Sequence, residues 1–292
     1  MTPRDLLLAL LANMAWAFNF IAGKYGMQQF EPLLFTALRF SLLLLLLGPL
    51  FLRPIPGQMR TILTIGLVNG VIHFGLMFAG LNAGGDVSSI AILTQLYVPF
   101  SALLAVLFLG EQLGWRRIGG IGVAFAGVML IGFDPVVFQH PDAVVLITGA
   151  ALAMASTSIL MRRLKGVGVF HLQAWIALVA APGLLMLSLL LEDGQWQALT
   201  GAQWRYWLGP AYTAIGGSII GHGIVYYLLT RYPVGLTNPL MLLTPVLAVI
   251  FGVTLWGDTL TWKLVVGGLM VLAGVLVITV RMPRLFRARQ VY

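Results

Sequence analysis

The chain has 292 residues, 60% of them hydrophobic and only 9% charged, with a net charge of +8. Soluble domains carry about a quarter charged residues and must wet their own surface, so this composition excludes a soluble globular fold. The basic residues stand at the ends of apolar runs rather than in one patch, which excludes a nucleic-acid partner, and the absence of cysteine excludes disulfides, thiolate chemistry and Cys-based metal sites.

A helix that crosses a bilayer needs about 20 mostly apolar residues. In chain order such runs fall near 4–23, 32–52, 60–81, 87–109, 115–133, 143–162, 169–191, 205–230, 235–256 and 262–281. The first run has one Arg ahead of it, as a signal peptide would. Asn13, Trp16 and Asn19 are foreign to such a peptide, and the run is read as a retained span. The connectors are short and contain Gly, Pro, Asp or Arg, as in RPIPGQMR and FDPVVFQHPD. No connector is long enough for a soluble domain.

Charge orients the ten spans. With the N-terminus inside, the inner ends hold Arg4, Arg53, Arg60, Arg116, Arg117, Arg162, Arg163, Lys165, Arg231, Arg281, Arg284, Arg287 and Arg289, and the outer ends hold only Lys24, Arg205 and Lys263. This is the bias expected of inner-face loops. It places both termini in the cytoplasm and makes the tail RMPRLFRARQVY a basic anchor beside anionic lipid.

The chain repeats itself. Laid over residues 257–278, residues 110–131 match at Gly110/Gly257, Leu113/Leu260, Trp115/Trp262, Gly120/Gly267, Ala126/Ala273, Gly127/Gly274, Val128/Val275 and Ile131/Ile278. Glu111 faces Asp258 and Arg116 faces Lys263. Upstream, Pro99 corresponds to Pro245 and His73 to His222. The ten spans therefore divide into units 1–137 and 138–292. Five is odd, so the second unit enters the membrane from the opposite face. The expected fold is all-α and integral to the membrane: ten transmembrane helices as two inverted five-helix repeats around a central cavity. Such repeats are typical of secondary transporters with a midplane site.

The ten-helix length, the duplication, the Leu38-Arg39-Phe40 run in the second span and a Pro followed by Gly110-Glu111 at the end of the fourth resemble the drug/metabolite transporter superfamily, EamA type. The resemblance covers essentially the whole chain, and within that family it is most like the bacterial inner-membrane exporters of amino acids, aromatic ones included. Gly257-Asp258 departs from the family's second Gly-Glu but keeps the charge. The resemblance implies a basket in which spans 1, 3, 4, 6, 8 and 9 line the cavity and spans 5 and 10 pack outside it.

Polar side chains in the apolar zone are costly and point inward. His73 and His222 each lie nine residues from a span end, about 13 Å along the axis and close to the midplane. Imidazole titrates near neutrality, so both are candidates for substrate contact or proton relay. Asn13, Trp16 and Phe20 share a face of the first span, and Asn69 and Met77 flank His73 on the third. Gln95, Tyr97, Ser156, Tyr226, Asn238 and Met241 complete the candidate binding set. Pro99, Pro239 and Pro245 interrupt the fourth and ninth spans, where they free backbone groups and permit bending. Arg39 is the one basic residue well inside a span. It is expected in a structural role, paired with Glu31, Asp86 or a helix end. Glu111 and Asp258 are expected to cap helices or pair at the interface, with gating as the alternative.

No carboxylate sits securely at the midplane, and the expected lining is neutral and aromatic. That suits a neutral or aromatic amino acid, or a small apolar drug. The leading expectation is an amino-acid or metabolite exporter, and the alternative is a multidrug carrier of small apolar or cationic compounds. A nucleotide-sugar carrier would need several intramembrane cations for phosphate. A membrane enzyme would need a second deep carboxylate or a Ser–His dyad, and neither is present. The expected partners are a small-molecule substrate and lipid, with no obligate protein partner, no cofactor and no metal. Coupling mode and transport direction stay open.

Overall fold

The computed structural model describes residues 1–279 apart from 85, 111, 113, 135, 136, 138, 233–235, 238 and 239. Glu111, Asn238, Pro239 and the basic tail lie outside the described residues. Among the described residues the chain is helical, and eight helices are long and apolar enough to cross a membrane. These are α1 (Pro3–Gly26), α2 (Pro32–Phe51), α3 (Met59–Asn82), α4 (Val87–Leu109), α6 (Pro141–Met161), α7 (Val169–Leu191), α8 (Trp204–Arg231) and α10 (Trp262–Thr279). Two more fall where spans are expected. The first is α5 (Trp115–Gly132), which opens on Trp115, Arg116 and Arg117. The second is α9 (Leu243–Trp256), which begins just after a turn at Met241 and Leu242; Leu236, Thr237 and Leu240 ahead of the turn are helical as well.

Each helix starts and stops for a local reason. Pro stands at the first position of α1, α2 and α6, where its missing N–H costs nothing. Thr2 Oγ1 caps α1 by accepting from Asp5 N. The first turn of α2 is capped from across the molecule. Glu192, just past the end of α7, accepts from Leu33 N (2.6 Å) and Leu34 N (3.0 Å). At the other end of the same pair, Trp175 Nε1 near the start of α7 donates to Arg53 O just past the end of α2. The two helices therefore run antiparallel. Gly110 and Gly257 close α4 and α9 with positive φ (64° and 84°), a conformation that favours glycine, so both turns of the repeated connector have the same cause.

α5 and α10 pack with glycine against glycine. A Cβ on Gly120 would meet Gly274 O at 2.9 Å, and one on Gly127 would meet Gly267 O at 2.6 Å. The order is reversed along the two chains, so this crossing is antiparallel too. Bare glycines let the backbones touch, which suits association in lipid, where packing rather than water exclusion drives contact.

The remaining packing has an internal symmetry. α1 packs on α8 and α9, while α6 packs on α3 and α4; α2 packs on α8, while α7 packs on α3. Exchanging the first five helices for the last five maps each of these pairings onto another, and maps the pairs α2–α7 and α5–α10 onto themselves. Phe20, Met77 and Phe78 lie in one apolar cluster with Ile90, Ile147 and Ala248.

Candidate functional site

The site lies where α1, α2, α3 and α8 meet. α3 and α8 share a feature that amphipathic periodicity does not reveal: each contains a π-helical stretch, Gly66–His73 and Thr213–Gly221. The first ends on His73 and the second ends one residue before His222. Such widened turns concentrate at functional sites.

Both imidazoles bond through the same atom. His73 Nδ1 lies 2.8 Å from Ala150 O on α6, and His222 Nδ1 lies 3.0 Å from Gly217 O on its own helix. A carbonyl only accepts, so each Nδ1 carries the proton, and in the neutral ring Nε2 keeps its lone pair for another partner. Trp16 Nε1 donates to the same Gly217 O at 3.0 Å, and the Trp16 ring meets His222 edge-on at 5.2 Å. Gly217 O thus gathers residues from α1 and α8.

Arg39 departs from its expected pairing. It is only 2% exposed, and Glu31 and Asp86 are not its partners. Its Nη2 donates to Ser218 Oγ at 3.0 Å, while Nε and Nη1 have no partner. Its guanidinium lies 4.2 Å from the centre of Phe74, with Phe40 at 5.2 Å and Phe78 at 5.6 Å. It also lies within electrostatic reach of both His73 and His222. An arginine placed at a span centre costs about 3 kcal/mol even on the milder insertion scales, and each orphaned donor adds about 1–3 kcal/mol. A desolvated cation–π contact returns about 2 kcal/mol. The aromatic cradle and one hydroxyl leave this cation short of partners. Asn19, 7% exposed, presents an unpartnered Oδ1 toward Gly217.

The other candidates fall into place around this centre or away from it. Asn13 is bonded at both polar atoms: Nδ2 donates to Ala9 O (2.7 Å) and Oδ1 accepts from Thr244 Oγ1 (2.6 Å), which ties α1 to α9. Asn69 is buried, and its Oδ1 has no partner. Phe20 and Met77 are core. Gln95 and Tyr97 are partly buried where α4 tightens into a 3₁₀ turn (Thr94–Leu96) just ahead of the buried Pro99. The buried Pro245 follows the turn at Met241 and Leu242, so both described prolines stand next to irregular backbone. Ser156 returns its hydroxyl to Leu152 O, and Tyr226 is 46% exposed.

Both ends of the molecule are tied across the two halves. At one end Asp5 accepts from Thr2 Oγ1 (2.7 Å), Tyr232 OH (2.6 Å) and Tyr227 OH (3.4 Å), joining α1 to α8. At the other, Asp258 Oδ2 accepts from both Ser88 N and Ser88 Oγ at 2.7 Å. Asp258 therefore caps α4, a helix of the other half. Thr261 donates to Asp134 nearby, and Lys263 Nζ donates to Phe133 O. Asp86 completes this end. Burial, and then the charges of Asp258 and Asp134, push its carboxyl up to about 6, with Lys24 and His140 opposing.

Sequence reasoning passes over three contributors. Asn19 is visible as a polar residue in the first span, but it lies off the face shared by Asn13, Trp16 and Phe20. Ser218 and the carbonyl of Gly217, which bond to Arg39, Trp16 and His222, both lie in the π-helical stretch Thr213–Gly221.

The comparisons with known proteins bear on the whole chain. A family model described as the EamA-like transporter family matches residues 4–133 and 142–280. A probable amino-acid metabolite efflux pump of Salmonella typhimurium is 30% identical over 94% of this chain and 94% of its own length. A pump of the same description from Escherichia coli K12 is 27% identical over the same shares. A probable terminal-alkyne amino-acid exporter of Streptantibioticus cattleyicolor is 22% identical over 93% of this chain and 92% of its own. One crystal structure, 18% identical, covers 96% of this chain and 97% of its own at a TM-score of 0.63, and so shares the fold.

Proposed function

Because the chain belongs to the EamA-like transporter family, and is a multi-pass membrane transporter rather than an enzyme, we propose that it exports neutral amino acids, aromatic ones included, or similar small metabolites across a bacterial inner membrane by alternating access. One observation carries this reading. The mirrored His73 and His222, each beside a π-helical turn, lie within electrostatic reach of one buried and under-partnered cation, Arg39. A midplane site shared by two halves is what a carrier needs in order to face either side in turn.

The proposed architecture is two inverted units, residues 1–137 and 138–292, of five spans each. The antiparallel pairs α2–α7 and α5–α10, and packing that maps onto itself when the halves are exchanged, support it. Arg53, Gln58, Lys165 and Arg231 collect at the end where the N-terminus lies, in favour of a cytoplasmic N-terminus. The names of the relatives favour amino-acid substrates and outward transport. A fixed positive charge at the centre disfavours cationic drugs, which weakens the multidrug alternative.

The test is counterflow in proteoliposomes with a panel of labelled amino acids, with and without a pH gradient. The expected result is exchange of neutral amino acids, reduced in the double variant His73→Ala/His222→Ala while the protein still inserts. Wild-type kinetics in that variant would remove the histidines from the site, and no exchange of any amino acid would reject the substrate class.

A further inference from the structure

We infer that Arg39 is the anchor for a substrate carboxylate, with Asn19 Oδ1 as the acceptor for an ammonium on the same molecule. The inference rests on the transporter reading only for the identity of the ligand; the anion site stands on its own geometry. Arg39 leaves Nε and Nη1 without partners, and Nη2 has two hydrogens of which Ser218 takes one; whichever it takes, the other pairs with Nε–H or with Nη1–H as the two parallel donors that a carboxylate takes in a bidentate pair. Its third donor group, Nη2, is fixed by Ser218, and Phe74 covers its face at 4.2 Å. The fork is therefore oriented, with one two-donor edge buried and unmet by any protein acceptor. Among the described residues no carboxylate bonds to it.

Asn19 supplies the complementary half. Its Oδ1 is buried and unpartnered, and the direction a Cβ would take from Gly217 meets this oxygen at 2.6 Å and Arg39 Nη2 at 4.0 Å. An acceptor and the Nη2 corner of the guanidinium therefore stand on the same side of one glycine. A zwitterion satisfies both, whereas an amine without a carboxylate meets an uncompensated positive charge.

Two matched ligand sets test this on the purified full-length protein at constant ionic strength, read by thermal stabilisation. One set is L-alanine, propanoate and ethylamine, and the other is L-phenylalanine, 3-phenylpropanoate and phenethylamine. In at least one set the amino acid and the carboxylate are expected to stabilise saturably and the amine not at all. Arg39→Gln should abolish both responses. Arg39→Lys should weaken them on the order of tenfold, because a point charge cannot offer two parallel donors. If Arg39→Gln does not fold, the lysine variant and the wild-type contrast between carboxylate and amine still decide. Stabilisation by the amine, equal stabilisation by chloride, no response to any carboxylate, or an unchanged response in either variant would overturn the anchor. Carboxylate binding through Arg39 without amino-acid counterflow would keep the anchor and reject the exporter reading. Counterflow without carboxylate dependence would do the reverse.

Discussion

Cysteine pairs across α5 and α10 can read the direction of their crossing. The chain has no cysteine, so a cross-link can come only from the introduced pair. A Cβ at Gly274 falls 2.9 Å from the Cβ of Ala124, and one at Gly127 falls 2.9 Å from Val271 N. A disulfide prefers about 3.8 Å between Cβ atoms, so Ala124→Cys/Gly274→Cys needs the helices to part by about 1 Å. Gly127 and Gly274 would face each other only in a parallel crossing. In the antiparallel one Gly274 lies against Gly120, and seven residues at 1.5 Å each put Gly127 about 10 Å away. That exceeds the reach of a disulfide, about 7 Å between Cα atoms. Oxidation in native membranes, followed by cleavage at a protease site inserted near residue 139 and denaturing electrophoresis, should leave the two fragments joined for Ala124→Cys/Gly274→Cys and Gly127→Cys/Val271→Cys. They should separate for Gly127→Cys/Gly274→Cys and Gly120→Cys/Gly267→Cys. The reverse pattern would refute the antiparallel crossing and, with it, the inverted repeat.

Three further outcomes follow from the ends and the centre of the molecule. Asp258→Ala removes two 2.7 Å bonds from the cap of α4 and should destabilise the protein by about 2 kcal/mol in thermal unfolding, with Asp258→Asn costing less; a wild-type melting curve for the alanine variant would sink the cap. Asp86 has its pKa raised from 3.8 to about 6, so the folded state binds its proton more readily than the unfolded chain, and stability should rise as the pH falls from about 6 to about 4. Asp86→Asn should flatten that rise and stabilise the protein at pH 7; a wild-type melting profile that climbs with pH across the window would contradict this. Gly217→Ala drives a methyl to 2.6 Å from Asn19 Oδ1 and should reduce transport on the order of tenfold, whereas Gly122→Ala, which meets nothing within 4 Å, should be neutral or mildly stabilising; equal transport rates in the two variants would count against the Gly217 cluster.

Span positions are legible because a bilayer makes an unusually plain demand, about 20 apolar residues, and Pro32 and Gly110 mark their turns in the sequence itself. The turn at Met241 and Leu242 falls inside the ninth expected span, close to Pro245, and carries no polar signal. The histidine pair is legible from its repeat position. Arg39 is legible as an anomaly but not in its role: depth along a helix says nothing about whether a partner waits across the interface. Its hydrogen-bond partner, Ser218, is 179 residues away, buried in a π-helical stretch that glycine-rich sequence permits but does not announce. Asn13 is legible as a polar residue of the first span, but its bonds to Ala9 and Thr244 are not.

The two histidines are related by the repeat but are bonded differently, and that difference has mechanistic content. His73 bonds across to α6, whereas His222 bonds within α8 and leaves Trp16 of α1 to share its carbonyl. In the alternating-access cycle proposed above, facing one side would have one half grip and the other release. If the halves exchange roles, the smallest change is an exchange of these bonds: His222 Nδ1 donates across to a carbonyl of α1, and His73 Nδ1 turns back to the π-helical carbonyl five residues before it, that of Val68. Arg39 lies within electrostatic reach of both rings, so a carboxylate anchored there as proposed would feel the exchange. A structure of the opposite-facing state in which His73 still bonds Ala150 and His222 still bonds Gly217 would break this link between the mirrored residues and the transport cycle.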